Sequence, residues 1–415
     1  MGYKVILIEN DVKMSIKLNN IIINKEGHDI WISVDDVSLL VIDNMKITLT
    51  SRMLSYLAEH NVGMIFCDAK HLPIGYYCDY DNHSHISKIL NYQIQYSQTE
   101  YDKLWKKIII AKLNNQAGVL EILGKDNAIA LKIKEYCDEI TDGDKSNREA
   151  HGAKVYFNEL MGTSFSRGNE DLLLNSGLDY GYTIIRSYIA RLCVGYGLNC
   201  QIGIHHKNEY NRFNLVDDLM EPLRPIVDLY TYRILEGQEF FKADHRYKII
   251  NIVNHFIRYK EKKMYLGNML EEYVMMFSKN LKDGTELIFP DINAYEEYAD
   301  EVLMRSMQMR YDVMRVLCMF DLPVDTDKEK REYRNFKKKL ILEGFVMLQY
   351  SVYIRTCPNR QYSERLQKRL AKNLPANGNI RLLEITEKQY EDMKILVGTK
   401  SLNEKIANDE RFVVI

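Results

Sequence analysis

Chemistry in this chain concentrates in one stretch, GIHHKNEYNRFNLVDDLMEPLRPIVD, from Gly203 to Asp228. Two adjacent histidines, His205 and His206, stand on a turn-like segment. Asp218 and Glu221 follow, three apart, where the pattern reads as the start of a helix. Residues three apart share roughly one helix face, so both carboxylates can turn back toward a histidine across a tight turn. Oxygen and imidazole donors together suit one divalent cation, Mg²⁺ or Mn²⁺. The same spacing also occurs on ordinary solvated surfaces, and spacing alone does not choose between the two.

The elements that must position these side chains are mostly helical. YDKLWKKIIIAKLNNQAGVLEIL, from Tyr101, puts Leu104, Ile108, Ala111 and Leu120 on a helical period, with Lys106, Lys107 and Lys112 on other faces. The stretches 127–140, 149–161, 178–194, 218–236, 245–257 and 266–281 read as further helices. Before them, residues 3–100 begin as short β-branched runs: YKVILIE, MSIKLNNIIINK with a turn at Asn19-Asn20, DIWISV, VSLLVID and VGMIFCD. One helix, around Met53, Leu54, Leu57 and Ala58, interrupts them, and Pro73-Ile74-Gly75 marks a loop. After an acidic connector (285–306), a strand over Val313–Phe320 ends in Asp321. Thr326 and Glu329 make a capping-box signal for a helix with Tyr333, Phe336, Leu340 and Ile341 on one stripe, and Gly344 stops it. FVMLQYSVYIRT, a helix near 363–373, a turn at Asn377-Gly378 and the strand NIRLLEIT complete the ferredoxin-like order. The expected class is α+β multidomain: a β-rich domain (1–100), an α-helical domain (101–288), a linker (289–308) and a ferredoxin-like α/β domain (309–415).

Composition narrows the functional classes. The chain has 415 residues, 46% of them hydrophobic, and a net charge of −2, so no global basic field draws nucleic acid to it. Charge is uneven: residues 307–415 hold 21 Lys and Arg against 15 Asp and Glu, the rest 35 against 43. Seven scattered cysteines without metal-type pairing predict a reduced, intracellular protein. The opening MGYKVILIEN lacks the marks of a signal peptide, Ile6 argues against myristoylation, and no apolar run reaches membrane-spanning length. The expected location is the cytoplasm, away from membranes. Tyr180, Tyr182 and Tyr188 lie near arginines and fit either core packing or stacking on unpaired bases.

Longer motifs carry a resemblance. SNREAHGAKVYF (146–157), FSR (165–167), NSGLDYGYT (175–183) and the GIHH…FNLVDDLMEPLRPIVD stretch make residues 1 to about 290 resemble the CRISPR-associated integrase family, the larger of the two universal spacer-acquisition proteins, in its type II-like branch. VLCMFDLPVDT, EYRNFKKKL, GFVMLQYSVYIR and NIRLLEITEKQY make residues from about 309 to 398 resemble the small CRISPR-associated adaptation protein.

That resemblance implies a β-domain that dimerises, an α-domain with a metal site, and a small scaffold domain. It maps the ligands onto Glu149, His206 and Glu221, with Asp218 and His205 as auxiliaries. Without it, Glu149 could equally be a solvated helix residue and His151 the ligand. It implies transesterification: the 3′-OH of a short duplex prespacer attacks the leader–repeat of a CRISPR array, with Mg²⁺ or Mn²⁺ as Lewis acid. Double-stranded DNA is then the partner, with Arg148, Arg167, Arg186, Lys207, Arg212 and the run Lys337, Lys338, Lys339 as candidate phosphate contacts. By default the lysine run is a solvated helix face. The resemblance implies a homo-oligomer, dimeric through the N-terminal domain and assembling further through the C-terminal one. It leaves room for other adaptation proteins and the effector nuclease as partners. Asp321 is read as structural or vestigial. The rival readings are a stand-alone metal-dependent DNA nuclease and a non-catalytic DNA-binding scaffold. In the family the two proteins are separate chains, so their fusion here is a departure.

Overall fold

The computed structural model describes residues 2–79, 85–169, 172–296, 313–408 and 410–415. The chain forms two compact units: Met1–Val62 together with Ala299–Ile415, and Gly63–Tyr298. We call them the terminal and the helical unit. Most of the expected linker, 297–308, lies outside the described residues.

The first part of the terminal unit is built from strands. These are β1 (Lys4–Ile8), β2 (Lys13–Lys17), β3 (Asn20–Lys25), β4 (His28–Ser33), β5 (Val37–Ile42) and β6 (Thr48–Leu49), followed by helix α1 (Ser51–Glu59). β1 and β5, KVILI and VSLLVI, pair in parallel and are buried at every position. Apart from Lys4 and Ser38, whose hydroxyl donates to the Lys4 carbonyl at 2.9 Å, these are apolar runs, as a strand covered on both faces requires. β2 and β3 form a hairpin whose turn is Leu18-Asn19, both at positive φ, one residue earlier than the sequence suggests. The reason is Asn20, which already belongs to the ladder and donates its amide to the carbonyls of Leu18 and Ile341.

The helical unit opens with the antiparallel pair β7 (Gly63–Cys67) and β8 (Pro73–Tyr77). Pro73-Ile74-Gly75 is therefore strand, not loop. A proline is tolerated at the first residue of a strand, where its missing N–H matters least. Helices follow: α2 (Ile86–Gln95), α3 (Gln98–Ile122), α4 (Asn127–Glu139), α5 (Arg148–Met161), α6 (Leu173–Gly195), α7 (Asn214–Met220), α8 (Arg224–Leu235) and α9 (Ala243–Ile250). The expected helix over 245–257 ends early. β9 (Phe256–Tyr259) and β10 (Lys262–Tyr265) form a hairpin there, turning on Lys260-Glu261 at positive φ. After α10 (Leu266–Asp283), β11 (Tyr295–Glu296) joins β9. The expected single helix over 218–236 is broken by a 3₁₀ turn, Glu221–Leu223, between α7 and α8. Pro222 and Pro225 withdraw two backbone donors there, so a continuous α ladder cannot form.

The rest of the terminal unit comprises β12 (Met314–Asp321), α11 (Asp327–Leu342), β13 (Val346–Gln349), β14 (Val352–Cys357), α12 (Arg360–Leu370), β15 (Asn379–Thr386), α13 (Glu387–Glu391), α14 (Leu402–Ile406) and β16 (Phe412–Val414). The capping box of Thr326 and Glu329 forms as expected. The sheet order β13-β14-β12-β15 is antiparallel throughout and ferredoxin-like. Phe336 and Leu340 bury one face of α11 against Val316, Cys318 and Phe320 of β12. β16 then returns to pair in parallel with β1. Two buried guanidinium–carboxylate pairs tie the unit together. Arg315 grips Glu387 through Nε and Nη2 at 2.5 and 2.6 Å, and Arg355 grips Asp36 through Nη1 and Nη2.

Candidate metal centre

The centre lies wholly in the helical unit, where α3 is its backbone. This helix is buried nearly all round, so it has no single solvent face. One stripe of it, Trp105, Lys112 and Asn115, points at the His205–Glu221 region. The helical period places Lys112 off the apolar stripe, with Lys106 and Lys107. Its side chain is only 7% exposed, and the ammonium lies 2.6 Å from Glu149 Oε1 and 2.5 Å from Glu221 Oε2.

Local structure explains why the two carboxylates meet there. Asp144, at positive φ, accepts from the backbone N–H of Arg148 at 2.9 Å and of Glu149 at 2.9 Å, fixing the entry into α5. Gly152, one turn on, lets α5 approach α3: a Cβ there would come within 2.4 Å of Leu113 Cδ2. Glu221 sits on the 3₁₀ turn, and Asn115 holds that turn by donating to the Pro222 carbonyl at 2.8 Å. Arg224 donates from Nε to Glu221 Oε1 at 2.8 Å and lies over the Tyr182 ring.

Electrostatics follow from this packing. Burial alone would raise the Glu221 pKa, but Arg224 and Lys112 overcome it and bring the group down to about 2. Burial would likewise depress the Lys112 ammonium, yet Glu221 and Glu149 hold its pKa above the usual value. Glu221 is an anion and Lys112 a cation at any working pH.

The histidines are set differently. The fully buried Asp218 carboxylate accepts from the backbone N–H of Ile204 at 2.6 Å and His205 at 2.9 Å, and its other oxygen meets His206 Nδ1. Gly203 permits this tight loop, since an added Cβ would fall 2.3 Å from the His206 carbonyl oxygen. Asp218 is thus a loop organiser rather than a second exposed carboxylate. Its hydrogen bond, against the opposing effect of burial, raises the His206 pKa; Glu221 and Glu149 add to the rise. His205 stacks flat on Trp105, centroids 4.4 Å apart, while His206 meets the same indole edge-on.

The structure therefore brings Glu149 and Glu221 together around one positive centre and orients His206 beside Asp218. Among the described residues, no three His, Cys, Asp or Glu side chains already stand close enough to enclose an ion. The donor set nevertheless fits a divalent cation. Two carboxylates already converge on an ammonium. A neutral His206 giving its Nδ1–H to Asp218 keeps the Nε2 lone pair free, the arrangement common around metal-bound histidines. His151 is exposed, 3.4 Å from an Arg148 nitrogen.

The basic candidates divide. Arg148 pairs with Glu139 at 2.6 Å, Arg167 with Asp179 at 2.6 Å and Arg186 with Asp217 at 2.7 Å. Lys207 donates to Gln98, and Arg212 covers the Phe213 ring. In the terminal unit Lys338 is exposed and Lys337 partly so, but Lys339 donates to the carbonyls of Leu370 and Lys372, which close α12. Asp321 is exposed opposite Asn379. Tyr180, Tyr182 and Tyr188 are all buried, the packing outcome of the two read from sequence. No helix among the described residues is long and apolar enough to cross a membrane.

Comparison with known proteins agrees with the motifs. Residues 5–268 match the family described as CRISPR associated protein Cas1, and residues 314–393 the family CRISPR associated protein Cas2. The CRISPR-associated endonuclease Cas1 of Neisseria meningitidis is 31% identical over 307 residues, 72% of this chain and 100% of that protein. The CRISPR-associated endoribonuclease Cas2 of Ligilactobacillus salivarius is 47% identical over 102 residues, 25% of this chain and 100% of that protein. Among solved structures, a casposase bound to integration product is similar in fold, with TM-score 0.58 at 19% identity, covering 74% of this chain and 98% of that one. A Cas6-RT-Cas1–Cas2 complex gives TM-score 0.55 at 16% identity over 72% of this chain and 36% of that one. The chain belongs to the Cas1 family and carries, fused on its C-terminal side, a domain of the Cas2 family.

Proposed function

We propose that the helical unit is a metal-dependent DNA strand-joining centre of CRISPR spacer acquisition. One observation carries the reading: Glu149 and Glu221, from separate elements of a Cas1-family chain, converge on a single cationic point. The similarity to an endonuclease by sequence, and in fold to a casposase bound to integration product, supports it.

Glu149, Glu221 and His206 would hold Mg²⁺ or Mn²⁺. Bound there, the ion supplies Lewis-acid stabilisation of a phosphate oxygen and lowers the pKa of an attacking hydroxyl. Asp218 keeps the His206 ring in one tautomer and orientation. Arg224, stacked on Tyr182, fixes the Glu221 carboxylate. In the joining step the 3′-oxygen of a short duplex forms a bond to phosphorus of the array as the existing P–O bond breaks. The attacking hydroxyl loses its proton and the departing 3′-oxygen gains one. The number of phosphodiesters is conserved, and no covalent enzyme intermediate is needed. The Cas2-family domain acts as a scaffold for DNA and for assembly of several copies, and the protein works in the cytoplasm.

The test is a supercoiled plasmid carrying a leader and repeat, mixed with a short duplex bearing free 3′-OH ends and Mn²⁺. Joined, relaxed products that vanish with 3′-dideoxy ends and with Glu221→Gln are expected. Relaxation that ignores the 3′ end would mean a plain nuclease. Acquisition unaffected by Glu221→Gln would mean a scaffold with a vestigial site.

A further inference from the structure

The metal reading leaves Lys112 without a part, although it occupies the point where the two acidic ligands meet. Glu221 has both oxygens engaged by cations: Oε1 by Arg224 at 2.8 Å and Oε2 by Lys112 at 2.5 Å. Glu149 has one oxygen on the same ammonium, at 2.6 Å, and its side chain stays 28% exposed. Two positive and two negative side chains make this cluster neutral.

The two cations are not equivalent. Arg224 is held by its stack over Tyr182 and by the short reach of an i,i+3 pair. Lys112 is a point charge on a flexible four-carbon stem, able to trade one acceptor for another. An entering divalent ion must therefore share carboxylate oxygens with Lys112 or displace it. In a neutral, water-poor cluster that is unfavourable, because like charges repel more strongly away from bulk solvent. An approaching DNA phosphate changes the balance. It adds negative charge at the open, Glu149 side and gives the displaced ammonium a new acceptor.

We propose that Lys112 is a positioning residue, a built-in counter-cation that makes tight metal binding at Glu149 and Glu221 conditional on the DNA phosphate. The inference rests on the metal reading above. Lys112 holds the two carboxylates at one point and yields its place when metal and DNA arrive together. It thereby keeps the centre from loading with metal before its substrate is seated.

The experiment is Mn²⁺ binding by the full chain, read from loss of the free-ion electron paramagnetic resonance signal. It is run with and without a branched DNA in which a short duplex is joined to a repeat strand. Wild-type protein should bind Mn²⁺ at least ten-fold tighter with DNA than without. Lys112→Gln, one bond shorter but still a hydrogen-bond donor without the charge, should bind Mn²⁺ at least ten-fold tighter than wild type in the absence of DNA. Its dependence on DNA should shrink, whereas Lys112→Arg, which keeps the charge but fixes its direction, should bind Mn²⁺ no tighter than wild type without DNA. A merely structural lysine would lower the melting temperature on substitution without tightening metal binding. If folded Lys112→Gln binds Mn²⁺ no tighter than wild type without DNA, the proposal is overturned. If that variant does not fold, equal Mn²⁺ affinity of wild type with and without DNA overturns it. Glu221→Gln separates the two levels: it must abolish the DNA-dependent Mn²⁺ binding, and if it does not, the metal assignment itself falls.

Discussion

Two buried ion-pair systems in this chain use different cations. In the terminal unit, Arg355 with Asp36 and Arg315 with Glu387 are fork-to-fork pairs, nitrogen for oxygen, and Arg315 spends its remaining nitrogen on the Ala407 carbonyl at 2.6 Å. In the helical unit, Lys112 gives a single ammonium to one oxygen of each of two carboxylates. Planar guanidinium pairs specify geometry and close off their carboxylates; an ammonium holds charge without fixing direction. The first arrangement locks segments distant in sequence. The second leaves the oxygens on Lys112 open to exchange, while Arg224 keeps the other Glu221 oxygen, as the proposed metal centre needs.

Substitutions can break or sharpen that contrast. The largest expected effect is on chemistry: Glu221→Gln should lower plasmid joining by about ten-thousand-fold, roughly 5 kcal/mol in barrier, with far-ultraviolet circular dichroism unchanged. Next, Asp36→Ala strands the Arg355 guanidinium and should cost about 3–5 kcal/mol in denaturant unfolding of the terminal unit. If instead Asp36→Ala were harmless and Lys112→Met unfolded the protein, the contrast would be reversed. Third, Asp218→Asn should weaken Mn²⁺ binding about 10–100-fold, as loss of a carboxylate behind a ligating histidine does.

That third variant also has a pH signature. Asp218 raises the His206 pKa, so the charged pair contributes stability that is complete below the ordinary histidine value, about 6.5, and lost as pH rises through the raised one. Metal binding runs the other way, because only the neutral ring is a ligand. Mn²⁺ affinity should climb with pH through the raised value, and Asp218→Asn should move that midpoint downward in titrations between pH 5 and 9. Smallest is Asp144→Ala, which frees the α5 entry and should cost about 1 kcal/mol of thermal stability.

Much of the terminal unit was legible because its signals are local. The capping box at Thr326, the stop at Gly344 and the turn signal at Asn377-Gly378 each act within a few residues. The hairpin of β9 and β10 was hidden because Lys260-Glu261 turns without glycine or asparagine, so the helix expected over 245–257 runs past Ile250 into the start of β9. The long helix over 218–236 was misread although Pro222 and Pro225 carried the warning. The candidate ligands came from motifs, since nothing local links Glu149 to Glu221. Lys112 was missed because α3 carries Lys103, Lys106, Lys107 and Lys112 and is buried on several faces, so period alone cannot say which lysine turns inward. The usable signal was its setting in IIIAKLNNQAGVL, apolar on both sides. The Arg355–Asp36 pair, 319 residues apart, left no local trace.

The central claim is that Glu149, Glu221 and His206 share one cation when DNA is bound. Crystals of the protein with the branched DNA and Mn²⁺, measured at the manganese absorption edge, test it directly. The account predicts an anomalous peak in contact with both carboxylates and the His206 ring, with the Lys112 ammonium moved off Glu221. A manganese peak elsewhere, with Lys112 still bridging the two carboxylates, would contradict it.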